Sequence, residues 1–276
     1  MSLLDAFAGA RVIDLGQEMS AAMPQTPDHP QFVLASTVRH IDTRVLAGFD
    51  EAAGDTGLGV TSEVIVMSGH SGTHLDGLGH ASCHGVVFGG HEAGAIQDHE
   101  GLHVHGLETV EPIIGRGILF DVARHEGVAV LPNDYAIGAD VLARIARERG
   151  LDVRPGDCVM VRTGLGASWD DRAHYPVTGS IPGLDASGGE WLAERGVRLV
   201  GADNVALEVL GPGHPVLPVH VLFLAQRGIF ILEHARLEEL AAADPDEFLF
   251  VCLPLKLKGG SGSPVRPIAV LAGPAT

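Results

Sequence analysis

The sequence predicts an α/β protein built on a mixed β-sheet with flanking helices. Three observations carry this. Runs of β-branched and aliphatic residues outnumber helix-periodic stretches, the helical stretches of the second half lie between strands, and glycines close most of the elements. At 276 residues the chain is long enough for a sizeable core. No fixed-period repeat and no compositional linker divides it, so residues 1–276 are expected to form a single domain.

Taken in order, Arg11 to Leu15 reads as an opening strand closed by Gly16, and Met19 to Pro30, with Pro24, Pro27 and Pro30, as a loop. Phe32 to Ile41 is expected to form a second strand and Ala47 to Gly59 a surface excursion. Ser62 to Met67 is a β-branched strand that delivers the histidine-rich stretch after it. Residues Gly85 to His105 are expected to form a long loop or lid. Gly117 to Ala123 and Cys158 to Thr163 read as strands. Between them, Asp140 to Arg149 carries Val141, Leu142, Ile145 and Ala146 at helical spacing, with Gly150 as a stop. Trp169 to Gly183 is a further proline-containing loop. A helix over Ser187 to Arg195 precedes a strand at Val197 to Gly201, and a helix over Pro218 to Arg227 precedes one at Ile229 to Glu233. The last strands are expected at Phe248 to Leu257 and Val265 to Leu271, joined through Gly259-Gly-Ser-Gly.

The composition narrows the function. A formal net charge of −17 argues against a nucleic-acid partner, because binding phosphates requires a basic face. Cys83, Cys158 and Cys252 are odd in number, widely spaced and free of a Cys-x-x-Cys pair, which points away from disulfides and towards a reducing, cytoplasmic setting. No secretion signal and no apolar run of membrane-spanning length is evident.

The chemistry concentrates in Gly69 to His84. His70, His74, Asp76 and His80 all occupy even positions, so a roughly extended backbone sends their side chains to one side. Gly69, Gly72, Gly77 and Gly79 disfavour a helix and allow tight turning. Imidazole nitrogens and a carboxylate form a donor set suited to zinc, manganese or iron. His91, His99, His103 and His105 follow without a carboxylate at matching spacing, which makes them weaker candidates.

The run His70-Ser-Gly-Thr-His74-Leu-Asp76-Gly-Leu-Gly-His80 resembles the signature of the cyclase family, which includes bacterial kynurenine formamidases and isatin hydrolases. The family pattern is His-x-Gly-Thr-His-x-Asp-x-Pro-x-His, and Leu78 stands here in place of proline. The resemblance implies a swivelling β/β/α type of domain, a homo-oligomer and one or two divalent ions, Mn2+ or Zn2+. It also implies arylformamidase-like or isatin hydrolase-like chemistry, as in tryptophan catabolism.

Three protein ligands leave a catalytic metal one open position, and His70, His74 and Asp76 would supply them. His80 then lies four residues beyond the carboxylate, placed to move protons on a water acidified by the cation. His220 and Glu233 bracket a helix and the strand after it, and periodicity alone leaves Glu233 open to a purely structural role. The segment His220 to Leu240 is similar to the family segment in which a histidine and a glutamate complete the metal site, so the resemblance implies that both bind metal. Arg162, Asp203 and Arg266 fall in segments that resemble the family around the substrate pocket. Each could orient a substrate or satisfy backbone groups.

The expected activity is metal-dependent hydrolysis of an amide-type C–N bond, in an aryl formamide or a cyclic amide such as isatin, with His80 as acid and base. The same donor set also allows ring-closing dehydration, or hydrolysis of a lactone or C–C bond in an aromatic-pathway intermediate. A non-catalytic metal-binding protein is the third reading, and it leaves the open site and the added base without a purpose.

Overall fold

A computed structural model describes residues 9–42 and 59–273. The chain begins with β1 (Arg11–Asp14), β2 (Val33–Val38), β3 (Ser62–Val66), β4 (His74–Asp76) and β5 (Ile113–Asp121), which runs into the single-turn α1 (Val122–His125). Then come α2 (Ala139–Arg149), β6 (Cys158–Arg162), α3 (Ala186–Ala193) and β7 (Leu199–Ala202). Helix α4 opens as Pro218–His220 and continues as the π-helical Val221–Arg227. The remaining elements are β8 (Phe230–Glu233), α5 (Glu238–Ala243), β9 (Phe248–Cys252), β10 (Gly262–Pro264) and β11 (Ile268–Leu271). Short two-residue pairings and 3-10 turns fill the links.

Nine strands make one sheet in the order β1-β11-β9-β5-β6-β7-β8-β4-β10. Its centre, β5-β6-β7-β8, is parallel, and every pairing outside it is antiparallel, so the expected mixed α/β architecture is what forms. Parallel strands need crossovers, and α2, α3 and α4 supply them. Such strands are buried on both faces. In β6 the alternation is explicit: Val159 and Val161 join Leu142, Ile145, Leu192 and Phe223 in one core, while Cys158 and Met160 join Ile13, Leu240 and Phe250 in the other.

Helix α2 forms where the period places it. Val141, Leu142 and Ile145 are buried, Arg147 and Arg149 occupy its last turn, and Gly150 caps it at φ 66°. Helix α3 starts at Ala186, because the Asp185 side chain accepts a hydrogen bond from the Gly188 N–H at 2.9 Å.

Prolines account for the shortened closing strands. β9 stops at Cys252 and not at Leu257, since Pro254 has no N–H to give the ladder. β11 starts at Ile268, just after Pro267, and not at Val265. The Gly259–Gly262 link carries an unexpected strand start, because Gly262 opens β10 against β4. Helix α5 was also not expected. The Gly85 to His105 stretch is not a bare loop: Val86–Val87 pairs with His91–Glu92, Gln97–Asp98 pairs with Gly101–Leu102, and Val87, Ile96 and Leu102 form a small core of their own. β3 does lead into the histidine stretch, but it pairs with β2 in a separate two-stranded ribbon. The excursion expected at Ala47 to Gly59 falls, except for Gly59, outside the described residues.

Candidate metal centre

Strand register builds the centre. β4 is hydrogen-bonded on both edges, to β8 and to β10, which fixes a strand of only three residues. Across the β4–β8 pair His74 faces Glu233, and directly opposed residues project to the same side. Asp76, two residues on, shares that side, while Leu75 points into the core.

His70 lies in the turn before β4. Its Nδ1 is 2.6 Å from Asp76 Oδ1 and its Nε2 is 3.1 Å from Ser261 Oγ. A Cβ on Gly262 would overlap the His70 ring, so glycine at this position lets the imidazole lie against β10. His74 donates from Nδ1 to the Gly72 carbonyl at 2.8 Å, which leaves Nε2 free at 3.4 Å from Asp76 Oδ1 and 3.3 Å from Glu233 Oε2. His220, in the first turn of α4, is held the same way. Its Nδ1 is 2.6 Å from Glu208 Oε1, and its Nε2 is 3.3 Å from Glu233 Oε1 and 3.7 Å from Asp76 Oδ2. Glu208 also accepts hydrogen bonds from the Val219 and His220 N–H groups, so one carboxylate fixes both the helix start and the ring. His80 stacks on His70 with ring centroids 4.0 Å apart and is exposed.

All six groups singled out in the sequence, His70, His74, Asp76, His80, His220 and Glu233, therefore meet in one cluster. Three triads have donor atoms within 4.8 Å of one another: His70, Asp76 and His80; Asp76, His220 and Glu233; and His74, Glu233 and His234. The trio expected from the sequence to share one ion, His70, His74 and Asp76, is not among them, although both imidazoles approach Asp76 Oδ1, at 2.6 and 3.4 Å. The cluster fits a divalent cation on a direct observation. Asp76 Oδ2 and Glu233 Oε1 are buried and accept no hydrogen bond. An unpaired buried carboxylate oxygen is costly, and a cation held by carboxylates and imidazoles removes that cost.

Electrostatics within the protein alone point the same way. Burial opposes charge on His74 and on His220, but the neighbouring carboxylates, Asp76 and Glu233 beside His74 and Glu208 and Glu233 beside His220, favour the protonated rings and raise both to about 10. Burial also pushes Asp76 and Glu233 upwards, and their imidazole partners overcome it and hold both below the ordinary carboxylate range. Although the residue as a whole is exposed, desolvation of the His80 ring, which lies against His70, pushes its imidazole down to about 4, against the pull of Asp76, so the ring is neutral at pH 7.

A pocket of about 80 Å³ opens over the cluster, lined in addition by Pro24, Gln25, Thr26, His29, Val205 and His234. Sequence reasoning missed His29, His234 and Glu208. His29 sits in the proline-rich loop, with Nδ1 2.8 Å from Thr26 Oγ1 and its ring 6.0 Å from that of His70. A histidine held between Pro27 and Pro30 was the available signal. For Glu208 there was none, since its partner is twelve residues away.

The three polar residues left open in the sequence do not line this pocket. Asp203 is fully buried and accepts hydrogen bonds from Thr163 N–H, Thr163 Oγ1 and Gly164 N–H at 2.7, 2.7 and 2.8 Å. Arg162 pairs with Asp121 at 2.9 Å, and Arg266 with Asp14 at the surface. His91, His99, His103 and His105 also lie away from the pocket. His105 donates to the Phe88 carbonyl, and His103 faces Asp98.

The chain is similar to known proteins in sequence and in fold. The sequence model of the family described as "Putative cyclase" matches residues 13–209. Cyclase-like protein 2 of Oryza sativa subsp. japonica is 31% identical over 74% of this chain, and the match spans 63% of the rice protein. The kynurenine formamidase of Geobacillus thermodenitrificans is 31% identical over 73% of this chain and 76% of its own length. Among solved structures, one described as a novel cyclase superposes with a TM-score of 0.84 at 29% identity, covering 96% of this chain and 88% of that one. Isatin hydrolase A of Ralstonia solanacearum shares the fold, with a TM-score of 0.72 at 22% identity over 98% of both chains. The signature residues, the sheet that carries them and the extent of these matches lead to one conclusion: the chain belongs to the cyclase family.

Proposed function

We propose that the protein is a metal-dependent hydrolase that cleaves the amide-type C–N bond of an aryl formamide, or of a cyclic amide such as isatin. The observation that carries this reading is the pair of buried carboxylates, Asp76 and Glu233, each with an orphaned oxygen, ringed by His70, His74 and His220 beneath a pocket that His80 borders. His70, His74 and Asp76 would hold one ion, supported by the approach of both imidazoles to Asp76 Oδ1 although the three are not among the triads already within 4.8 Å of one another, and Asp76, His220 and Glu233 would hold a second. When bound, a divalent cation supplies Lewis acidity to the substrate carbonyl and to the attacking water. The rest is done by the chain. Asp76 lies between the two sets of histidines, so its two oxygens can serve both. Glu208 and the Gly72 carbonyl keep the His220 and His74 rings turned inwards. Neutral His80 takes a proton at a ring nitrogen and returns it to the leaving nitrogen, a role that contributes roughly 10² to 10⁴ in rate. The relatives named kynurenine formamidase support the aryl formamide.

The ion is Mn2+ or Zn2+, and the setting is cytoplasmic, which three free cysteines support. A homo-oligomer is supported by the exposed apolar side chains Leu34, Ile65 and Val66 of the β2–β3 ribbon. The deciding experiment is turnover of N-formylkynurenine and isatin before chelation, after it, and after adding back Zn2+ or Mn2+. Loss and recovery of activity are expected. Undiminished turnover by the metal-free protein, or turnover of lactones with none of amides, overturns the reading.

A further inference from the structure

His234 follows directly after Glu233 at the end of β8, and four features set it apart from a packed core histidine. It is 5% exposed, and that small exposure faces the pocket above the cluster. Its backbone is left-handed, with φ 54°, a region that a residue with a Cβ rarely adopts. The backbone is pinned there from both sides: the His234 N–H donates to the Asn204 carbonyl, and Thr73 Oγ1 donates to the His234 carbonyl at 2.7 Å. Finally, a ring nitrogen lies within 4.8 Å of donor atoms of His74 and Glu233.

Hydrogen-bond accounting then says which nitrogen is free. The Tyr175 hydroxyl has one proton and donates it to the Asp203 carbonyl at 3.0 Å. Towards His234 Nδ1, 2.6 Å away, the hydroxyl is therefore the acceptor, and Nδ1 carries the ring proton. Nε2 is left with a bare lone pair and no hydrogen-bond partner among the described residues. An imidazole anchored through Nδ1 by a polar side chain, with Nε2 open, is the arrangement seen at metal-ligating histidines. Trp169 and Tyr175, with rings 5.3 and 5.6 Å from that of His234, fill the space behind it and prevent the ring from turning away.

We propose that His234 is an additional metal ligand, binding through Nε2 the ion on the His74 side of the cluster, where Glu233 is also within reach. The proposal rests on the reading of the cluster as a metal centre, and adds a donor outside the histidine and aspartate signature. It also gives the left-handed backbone a purpose, since that conformation turns the side chain following Glu233 back to the same side as Glu233.

The test is metal binding, read without turnover. Purified full-length protein is stripped, and its affinities for Zn2+ and Mn2+ are measured by chelator competition, alongside the visible spectrum of the Co2+ form. His234→Asn is the informative variant. Asparagine tolerates the left-handed backbone and can offer an amide to Tyr175 in place of Nδ1, but has nothing at the Nε2 position. It is expected to weaken binding by more than about 100-fold and to change the Co2+ bands, while Tyr175→Phe, which releases the anchor together with the hydrogen bond to the Asp203 carbonyl, costs about 10-fold. Wild-type affinity and an unchanged Co2+ spectrum in His234→Asn overturn the proposal. Should that variant not fold, nitrogen-labelled histidine NMR of the wild type decides, because a His234 Nε2 resonance unmoved by Zn2+ overturns it equally. A wild type that binds no ion removes both this ligand and the hydrolase reading. A wild type that binds ions but cleaves no amide removes the reaction alone.

Discussion

Single side chains at this centre divide into those that touch the reacting space and those that aim them. Glu208 belongs to the second kind, so Glu208→Gln is expected to lower metal affinity about 10- to 100-fold with the fold intact, checked by chelator competition and thermal melting. Asp203 is a structural counterpart. It satisfies three buried donors on the Thr163–Gly164 turn, and Asp203→Ala is expected to cost at least ~3 kcal/mol in denaturant unfolding, because each orphaned donor costs ~1–3 kcal/mol. Arg266→Ala is expected to cost under ~1 kcal/mol, since its partner Asp14 is met at the surface. The legible residues were those whose meaning is local. His70, His74, Asp76 and His80 fall within eleven positions, and their spacing alone suggests a shared side. His29, Glu208 and His234 acquire theirs through contacts across the fold, with Thr26 and His70, with His220, and with Tyr175, and no short pattern encodes those pairings.

Secondary-structure elements were readable where a period and a terminator agreed. α2 has both, and Leu142→Ala at its buried stripe is expected to destabilise by ~2–5 kcal/mol in the same unfolding assay. β9 and β11 were overextended because aliphatic residues continue past the points where Pro254 and Pro267 interrupt the ladder. β10 was not legible at all, since Gly-Ser-Pro has little strand propensity and forms only because β4 offers it an open edge. Its glycine matters most: Gly262→Ala is expected to displace His70 and reduce activity far more than it lowers the melting temperature.

Across the whole molecule, the parallel centre of the sheet could be expected from helices lying between strands, whereas the order β8-β4-β10 could not, because it sends an early strand between two late ones. Ion binding should be visible at this scale. At a free metal concentration of 100 times Kd, the native state gains about 2.7 kcal/mol, so the melting temperature is expected to rise with Zn2+ or Mn2+ and to fall on chelation. Among the described residues, no helix is long and apolar enough to cross a membrane.

The bridge between His70 and Ser261 joins positions 191 residues apart. During synthesis the signature histidines therefore leave the ribosome long before the segment that clasps them from the far side. A nascent or clipped polypeptide ending before Ser261 would carry the whole motif and still lack one wall of its cage, so capture of the ion belongs to the final stage of maturation.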